Sequence, residues 1–250
     1  MGDAQPAVTG TPRAARPAFY ALAPGSLRDY VTLLHLPYTA WCLGTVAIGL
    51  GLAPQLTWAL VGETLAAFAL AVGVAAHALD ELRGRPLGTA IPGAALVALA
   101  VVALVGACVI GAWVAADTTL WLLAFVGAGG FLVVAYNLEL PGFHNGLAFA
   151  LGWGAFPVTG YFAAAETLRA EAFVAAGAAA LLAHAQRLLS TEVRRLRRRV
   201  TAVHGELELP GGGVEELTRE ALLHAPERAL RALAAASVGL GVALVLARLT

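Results

Sequence analysis

Seven stretches of this chain stay apolar for about 20 residues, the length a helix needs to cross roughly 30 Å of hydrocarbon at about 1.5 Å per residue. They read as 30–53, 57–80, 91–115, 118–137, 146–165, 170–191 and 228–248. Together they take up most of the 250 residues. The expectation is one all-helical transmembrane bundle over 28–250, preceded by a flexible tail over 1–27. Composition points the same way: 59% of residues are hydrophobic and 13% charged, a ratio that a water-soluble domain has too little polar surface to cover. The tail lacks the apolar segment of a cleaved signal peptide. Pro6 stands where a myristoylation motif wants Ser or Thr.

The same numbers exclude other classes. The net charge is zero, and no basic tract is interleaved with aromatic residues, so a nucleic-acid groove is not expected. Cys42 and Cys108 lie inside apolar stretches and read as packing residues rather than disulfide or metal ligands.

Because the chain contains no Lys, orientation rests on Arg, and short Arg-bearing connections stay cytoplasmic. Arg13, Arg16 and Arg28 precede the first span, Arg83 and Arg85 follow the second, and Arg194, Arg195, Arg197, Arg198 and Arg199 follow the sixth. The amino terminus is therefore expected inside, in the cell membrane of a bacterium or archaeon. With seven spans the carboxyl terminus falls outside. Alternation then puts three polar clusters on one face: His77, Asp80, Glu81, Arg83 and Arg85; Tyr136, Asn137, Glu139, His144 and Asn145; and His184, Gln186, Arg187, Ser190, Thr191 and Glu192 with the Arg run.

Helical spacing sharpens two of these. His77, Asp80 and Glu81 stand at i, i+3 and i+4, on one face at the end of the second span. His184, Arg187, Thr191 and Arg195 form a stripe down the sixth. A charged side chain at mid-membrane costs about 2.5–3.5 kcal/mol on insertion scales, so such residues face a protein interior or a wet cavity. Simpler readings stand beside the functional one. The Arg run anchors to anionic head groups; Asp80 and Glu81 form interfacial ion pairs with Arg83 and Arg85; His77 and His184 make interhelical hydrogen bonds.

The rest reads as scaffold. Gly127, Gly129, Gly130, Gly152, Gly154, Gly239 and Gly241 are expected to let helix backbones approach closely. Pro157 removes a hydrogen bond in the fifth span and kinks it, near Trp153, Phe156 and Tyr161 as candidate pocket residues. The Leu-Pro-Gly-Gly-Gly stretch at 209–213 marks a turn. A short amphipathic helix is expected around Val214, Leu217 and Ala221, and Pro226 with Glu227 suits the first turn of the seventh span.

At its polar clusters the chain resembles the UbiA superfamily of intramembrane prenyltransferases. AHALDELRGRPLGTAIP ends the second span where that family carries an Asn-x-x-x-Asp-x-x-x-Asp motif followed by Arg-Pro-Leu. Asp80 matches the central aspartate, and Arg85, Pro86 and Leu87 the trailing signature. AYNLELPGFHNGLAFALGWGAFPVTGYF is similar to the family's run from a tyrosine into a Trp-Gly-x-x-Pro span, and RLLSTEVRRLRRRVTAVHG sits where its second acidic motif belongs, with Glu192 as the acid. Ala76, Gly84 and Leu188 occupy positions where the family has Asn or Asp, and the family usually has nine spans.

The resemblance, over roughly residues 28–205, implies a UbiA-like enzyme that acts on an isoprenyl diphosphate, by prenyl transfer to a lipophilic acceptor or by cyclisation. It implies Asp80, Glu81, Glu192 and Tyr136 as catalytic residues, and Mg²⁺ held by Asp80, Glu81 and Glu192 with His77. It further implies phosphate contacts from Arg83, Arg85, Arg187 and Arg194, and substrate contacts from Asn137, His144, Trp153 and Tyr161. Such chemistry needs carboxylate-held Mg²⁺ and Arg to neutralise a diphosphate, and aromatic faces to steady an allylic carbocation. Two other readings stay open. His77, Asp80, Glu81, Glu139, His144 and His184 have the ligand types of a transition-metal site acting on a lipid, and the bundle can also hold an isoprenoid without catalysis. In each reading the partners are a lipid and the bilayer.

The Arg distribution makes a direct prediction. Single cysteines placed near Gly84, Gly142 and Gly205 are labelled from the cytoplasmic side, and cysteines near Pro54 and Asp117 from the other. Labelling of the first set from outside overturns the assigned orientation.

Overall fold

The computed structural model describes residues 16–250 and is helical almost throughout. A short α1 (Ser26–Leu33) leads into α2 (Leu36–Leu52). Then α3 (Trp58–Phe68), a π-helical stretch (Ala69–Ala76) and α4 (His77–Leu82) run on continuously as a second rod after that of α1 and α2. They are followed by α5 (Gly93–Asp117), α6 (Leu122–Asn137), α7 (Gly146–Ala165), α8 (Ala170–Arg198) and α9 (Arg219–Leu249). Among the described residues six segments are long and apolar enough to cross a bilayer: Ser26–Leu52, Trp58–Leu82, Gly93–Asp117, Gly146–Ala165, Ala170–Arg198 and Arg219–Leu249. By length and composition the chain is an integral membrane protein. The remaining stretch expected to span, 118–137, is the apolar α6, but its 16 residues reach only about 24 Å.

Several helices begin where a side chain takes up an otherwise unpartnered backbone N–H. Thr57 accepts from Leu60 N at 3.2 Å, Asn145 from Ala148 N at 2.9 Å and Thr218 from Ala221 N at 3.1 Å. The last of these moves a boundary. α9 starts at Arg219, so Pro226 lies inside the helix rather than in its first turn. The amphipathic helix expected around Val214 is absent, and a β-hairpin takes its place, β1 (Glu206–Glu208) pairing antiparallel with β2 (Val214–Glu216). Gly211 and Gly212 take positive φ values of 92° and 83°, and Leu209 N donates to Gly213 O at 2.7 Å. So tight a turn folds its flanks back on each other, and an isolated helix of only about two turns is too short to compete.

α2 stands at the centre of the bundle, packed between α7 and α9 at backbone distance. A methyl group on Gly44 would lie 2.7 Å from the Ser237 backbone, and one on Gly51 2.6 Å from Leu244. From the facing helices, Gly241 meets the Gly44 carbonyl and Gly160 the Val46 carbonyl, each with a Cβ distance of 2.5 Å, and Gly49 abuts the Pro157 carbonyl. Of the glycines expected to do this, Gly241 and Gly154 do meet a backbone. Gly127, Gly129, Gly152 and Gly239 have nothing within 4 Å, and Gly130 makes only an ordinary contact with Cys108. A glycine permits close approach only where a neighbour arrives, and composition alone does not say which helix face that is.

The two ends of the bundle differ in chemistry. Trp58, Trp113 and Trp121 project at the end where α3 and α6 begin and α5 finishes, as interfacial tryptophans do. The opposite end holds the Arg run of α8 and the segment leading into α1. Residues 16–22, expected as part of the tail, lie across that end as a strap, with Ala18 and Ala21 buried against Leu87. Arg198 Nε donates to Pro17 O at 3.1 Å, Arg197 Nη1 donates to Arg16 O at 3.4 Å, and Arg231 sits 4.8 Å over the Phe19 ring. The remainder of the tail, 1–15, lies outside the described residues.

If backbone contact at α2 holds the bundle together, Gly49→Ala should lower thermal stability by about 1–3 kcal/mol, the usual cost of overpacking. Gly127→Ala, with open space beside it, should be neutral or mildly stabilising. Thermal unfolding of the purified protein measures both; equal effects contradict the central role of α2.

Candidate functional site

The residues expected at the end of the second span divide by direction. The π-helical stretch ends at Ala76, and His77 opens α4 with Nδ1 3.1 Å from the Gly73 carbonyl. Its ring stacks on His35 at 4.1 Å and 22°, and the Tyr20 ring from the strap lies 5.2 Å from that of His35. Burial raises the Tyr20 phenol above its usual range, so it stays neutral there. Asp80, one turn on, makes no hydrogen bond or ion pair among the described residues, yet stands within electrostatic reach of Arg194, Arg198 and His144.

Glu81 turns elsewhere. It is fully buried, with Oε2 accepting from Leu87 N at 2.9 Å and Oε1 from both Thr89 N and Thr89 Oγ1 at 2.8 Å. The buried Asp29 accepts from Ala90 N at 2.9 Å. Arg85 donates to Ile91 O at 2.5 Å and Thr89 O at 3.4 Å. The Arg-Pro-Leu connection is thus held by its own side chains, with Glu81 and Arg85 both engaged on the loop backbone. Arg83 projects outward and donates to Glu139 at 3.0 Å. That hydrogen bond holds the exposed Glu139 carboxyl below its usual range.

The second and third clusters meet. Arg187 Nη1 donates to Tyr136 Oη at 2.8 Å and lies 5.2 Å over the Phe149 ring. His144 sits 4.6 Å from the Tyr136 ring with Nδ1 2.9 Å from the Tyr136 carbonyl. Asn137 bonds back to Val133 O at 2.8 Å. Arg194 donates to Thr191 at 3.2 Å and reaches toward Asp80. Glu192 instead faces outward, paired with Arg195 at 2.9 Å beside Leu188 and Pro226. His184 and Thr191 are exposed as well. The inward face of α8 is one position away, at Ala183, Gln186, Ser190 and Val193.

Below this polar end opens a cavity of about 320 Å³, within the usual range for ligand pockets. It runs between the second rod, α5, α6 and α7, and its lining is almost wholly apolar. Along the second rod it extends from His77 to Thr64, about 20 Å for 13 helical residues. Tyr38, Tyr136 and Asn137 share its polar end, and Phe68, Phe125, Phe149, Trp153 and Phe156 its walls. Gly129, Gly130 and Gly152 border it too, so glycines assigned to helix packing leave room for the cavity. Tyr161 belongs to the other end of the bundle, fully buried with Oη donating to Glu171 at 2.7 Å.

Sequence reading passes over three residues at the polar end, Tyr20, His35 and Tyr38, and gives Gln186 a place in the third cluster without a role. The signal was present in His35-Leu-Pro-Tyr38, at the head of the first span, on the same face as the three clusters. Arg198, read only as an anchor, also lies within electrostatic reach of Asp80. Among the described residues no three of His, Cys, Asp and Glu converge as metal ligands. Glu81→Ala leaves three buried donors without an acceptor, and should cost about 1–3 kcal/mol for each group left unsatisfied. Glu192→Ala should stay within roughly 0.5 kcal/mol. Unchanged stability in Glu81→Ala, measured by thermal unfolding, rejects the loop-holding role.

Comparison with protein-family models, with characterised proteins and with solved structures finds no match to this chain.

Proposed function

We propose that the chain is a UbiA-like intramembrane enzyme that takes an isoprenyl diphosphate with its head at the arginine-rich end and its tail in the cavity. It acts on that substrate by prenyl transfer to a lipophilic acceptor or by cyclisation. The observation that carries this reading is the pairing of a long aromatic-walled cavity with arginines gathered at one end of it. An apolar tail of prenyl type gains from leaving water along about 20 Å of lining. The diphosphate, brought to the same place, needs positive charge. Arg187 offers it at the cavity mouth, with donors to spare beyond the one given to Tyr136.

Mg²⁺ characteristically binds through one or two carboxylates together with substrate phosphates and retained waters. Asp80 fits that role, because among the described residues its carboxylate has no partner at the polar end, whereas Glu81 and Glu192 are engaged elsewhere. Bound there, the ion would offset the charge of a departing diphosphate. Arg194 and Arg198 add positive charge at the head-group position. The faces of Phe149, Trp153 and Phe156 line the path where positive charge would develop in the prenyl group, and can stabilise it by cation–π attraction.

A second reading, isoprenoid binding without turnover, draws on the small number of free acids. The two separate by one assay: magnesium-dependent release of pyrophosphate accompanies turnover only.

Asp80→Asn is nearly isosteric and should remove Mg²⁺-dependent binding of a farnesyl or geranylgeranyl diphosphate analogue while leaving thermal stability unchanged. Arg187→Gln should weaken the same binding by roughly 10- to 100-fold, as loss of a hydrogen bond to a charged group does. Calorimetric titration with and without Mg²⁺ reads both. Metal-independent, unchanged binding in Asp80→Asn overturns the assignment.

A further inference from the structure

We infer that Tyr38, Gln186 and Ser190 form a second, uncharged subsite at the polar end, which receives the hydroxyl of a lipophilic alcohol or phenol. This rests on the isoprenoid reading and deepens it, because a neutral subsite beside the anionic one provides for two ligands.

Gln186 is the starting point. Its side chain is 1% exposed, and neither its amide oxygen nor its amide nitrogen has a hydrogen-bond partner. Buried amides are almost always satisfied, because each orphaned group forfeits the hydrogen bond it made with water. The position is not an accident of a loose surface. Gln186 lies on the inward face of α8 with Ala183 and Ser190, and Ala183 packs with Trp41 and Trp153. Ser190, one turn on, is buried too and turns its hydroxyl to its own helix at Arg187 O, 3.2 Å away.

Tyr38 connects this group to the cavity. It belongs to the cavity lining, and its hydroxyl stands beside both Ser190 and Gln186 without giving either Gln186 amide atom a hydrogen bond. The unmet requirement is therefore one donor for the amide oxygen and one acceptor for the amide N–H₂. A hydroxyl supplies both from a single atom, whereas a carboxylate or phosphate oxygen only accepts. No arginine makes a hydrogen bond to Gln186, while Arg187, one residue on, is turned away to Tyr136. The anionic and neutral preferences are thus separated across α8.

The test uses the full-length protein in lipid nanodiscs, with tryptophan fluorescence as readout, since Trp41 and Trp153 stack at 4.6 Å next to the site. The probes are farnesol, the hydrocarbon farnesene and a farnesyl diphosphate analogue. The wild type should bind farnesol about tenfold or more tightly than farnesene. Gln186→Leu should abolish that preference and leave affinities for farnesene and for the diphosphate analogue unchanged. Tyr38→Phe should reduce the preference in the same direction and serves as the readout if Gln186→Leu does not fold. Retention of the alcohol preference in both variants, or its absence from the wild type while the diphosphate analogue still binds, overturns the subsite alone. Failure of the wild type to bind any of the three probes overturns the isoprenoid reading with it.

Discussion

Close backbone contact along α2 is the constraint from which the rest of the molecule follows. In a bilayer there is no hydrophobic gain from pressing two helices together, so association rests on packing at short range. Gly44, Gly49 and Gly51 let α7 and α9 approach α2 to the distance of touching main chains. That holds α2 as a central post. His35 and Tyr38 sit at the head of this post, so their places beside His77 and in the cavity wall are set by contacts made far below them. The cavity then lies on the side where such contacts are missing, between the second rod and α6, with Gly129 and Gly130 at its border.

The π-helical stretch Ala69–Ala76 sits at the join between scaffold and site. A turn widened to i→i+5 shifts the phase of everything after it. The Gly73 carbonyl takes the His77 imidazole, and the missing side chain at Gly73 makes room for the Thr39 methyl group. After that shift Glu81 points into the loop, while Asp80 is left facing the arginines of α8. Two adjacent acids thus take on unlike work, one holding backbone and one free.

Much of this was legible in the residues and some was not, for physical reasons. Apolar length located the helices well: 146–165 coincides with α7, and the starts and ends of most others fall within a few residues. Joining of the second and third polar clusters followed from alternation of the connections, and the Arg187–Tyr136 bond is its result. What failed were inferences about direction. Spacing of i, i+3 and i+4 placed His77, Asp80 and Glu81 on one face but said nothing of where each side chain would find a partner. On α8, a stripe drawn through His184 and Thr191 missed the buried face by one residue. Small residues were counted correctly as material for close packing, yet Gly49 gains its role from Pro157, more than a hundred positions away. Contacts of that kind are not written locally.

The strap at residues 16–22 carries a thermodynamic consequence. Arg198 gives one hydrogen bond to the Pro17 carbonyl, and the same guanidinium lies within electrostatic reach of Asp80. Tyr20 likewise rests on His35, which rests on His77. Docking of the amino-terminal segment and occupation of the polar end therefore draw on shared groups, and linkage makes the coupling reciprocal. Whatever factor an anion applies to the equilibrium between docked and released strap, release of the strap applies to the affinity for that anion.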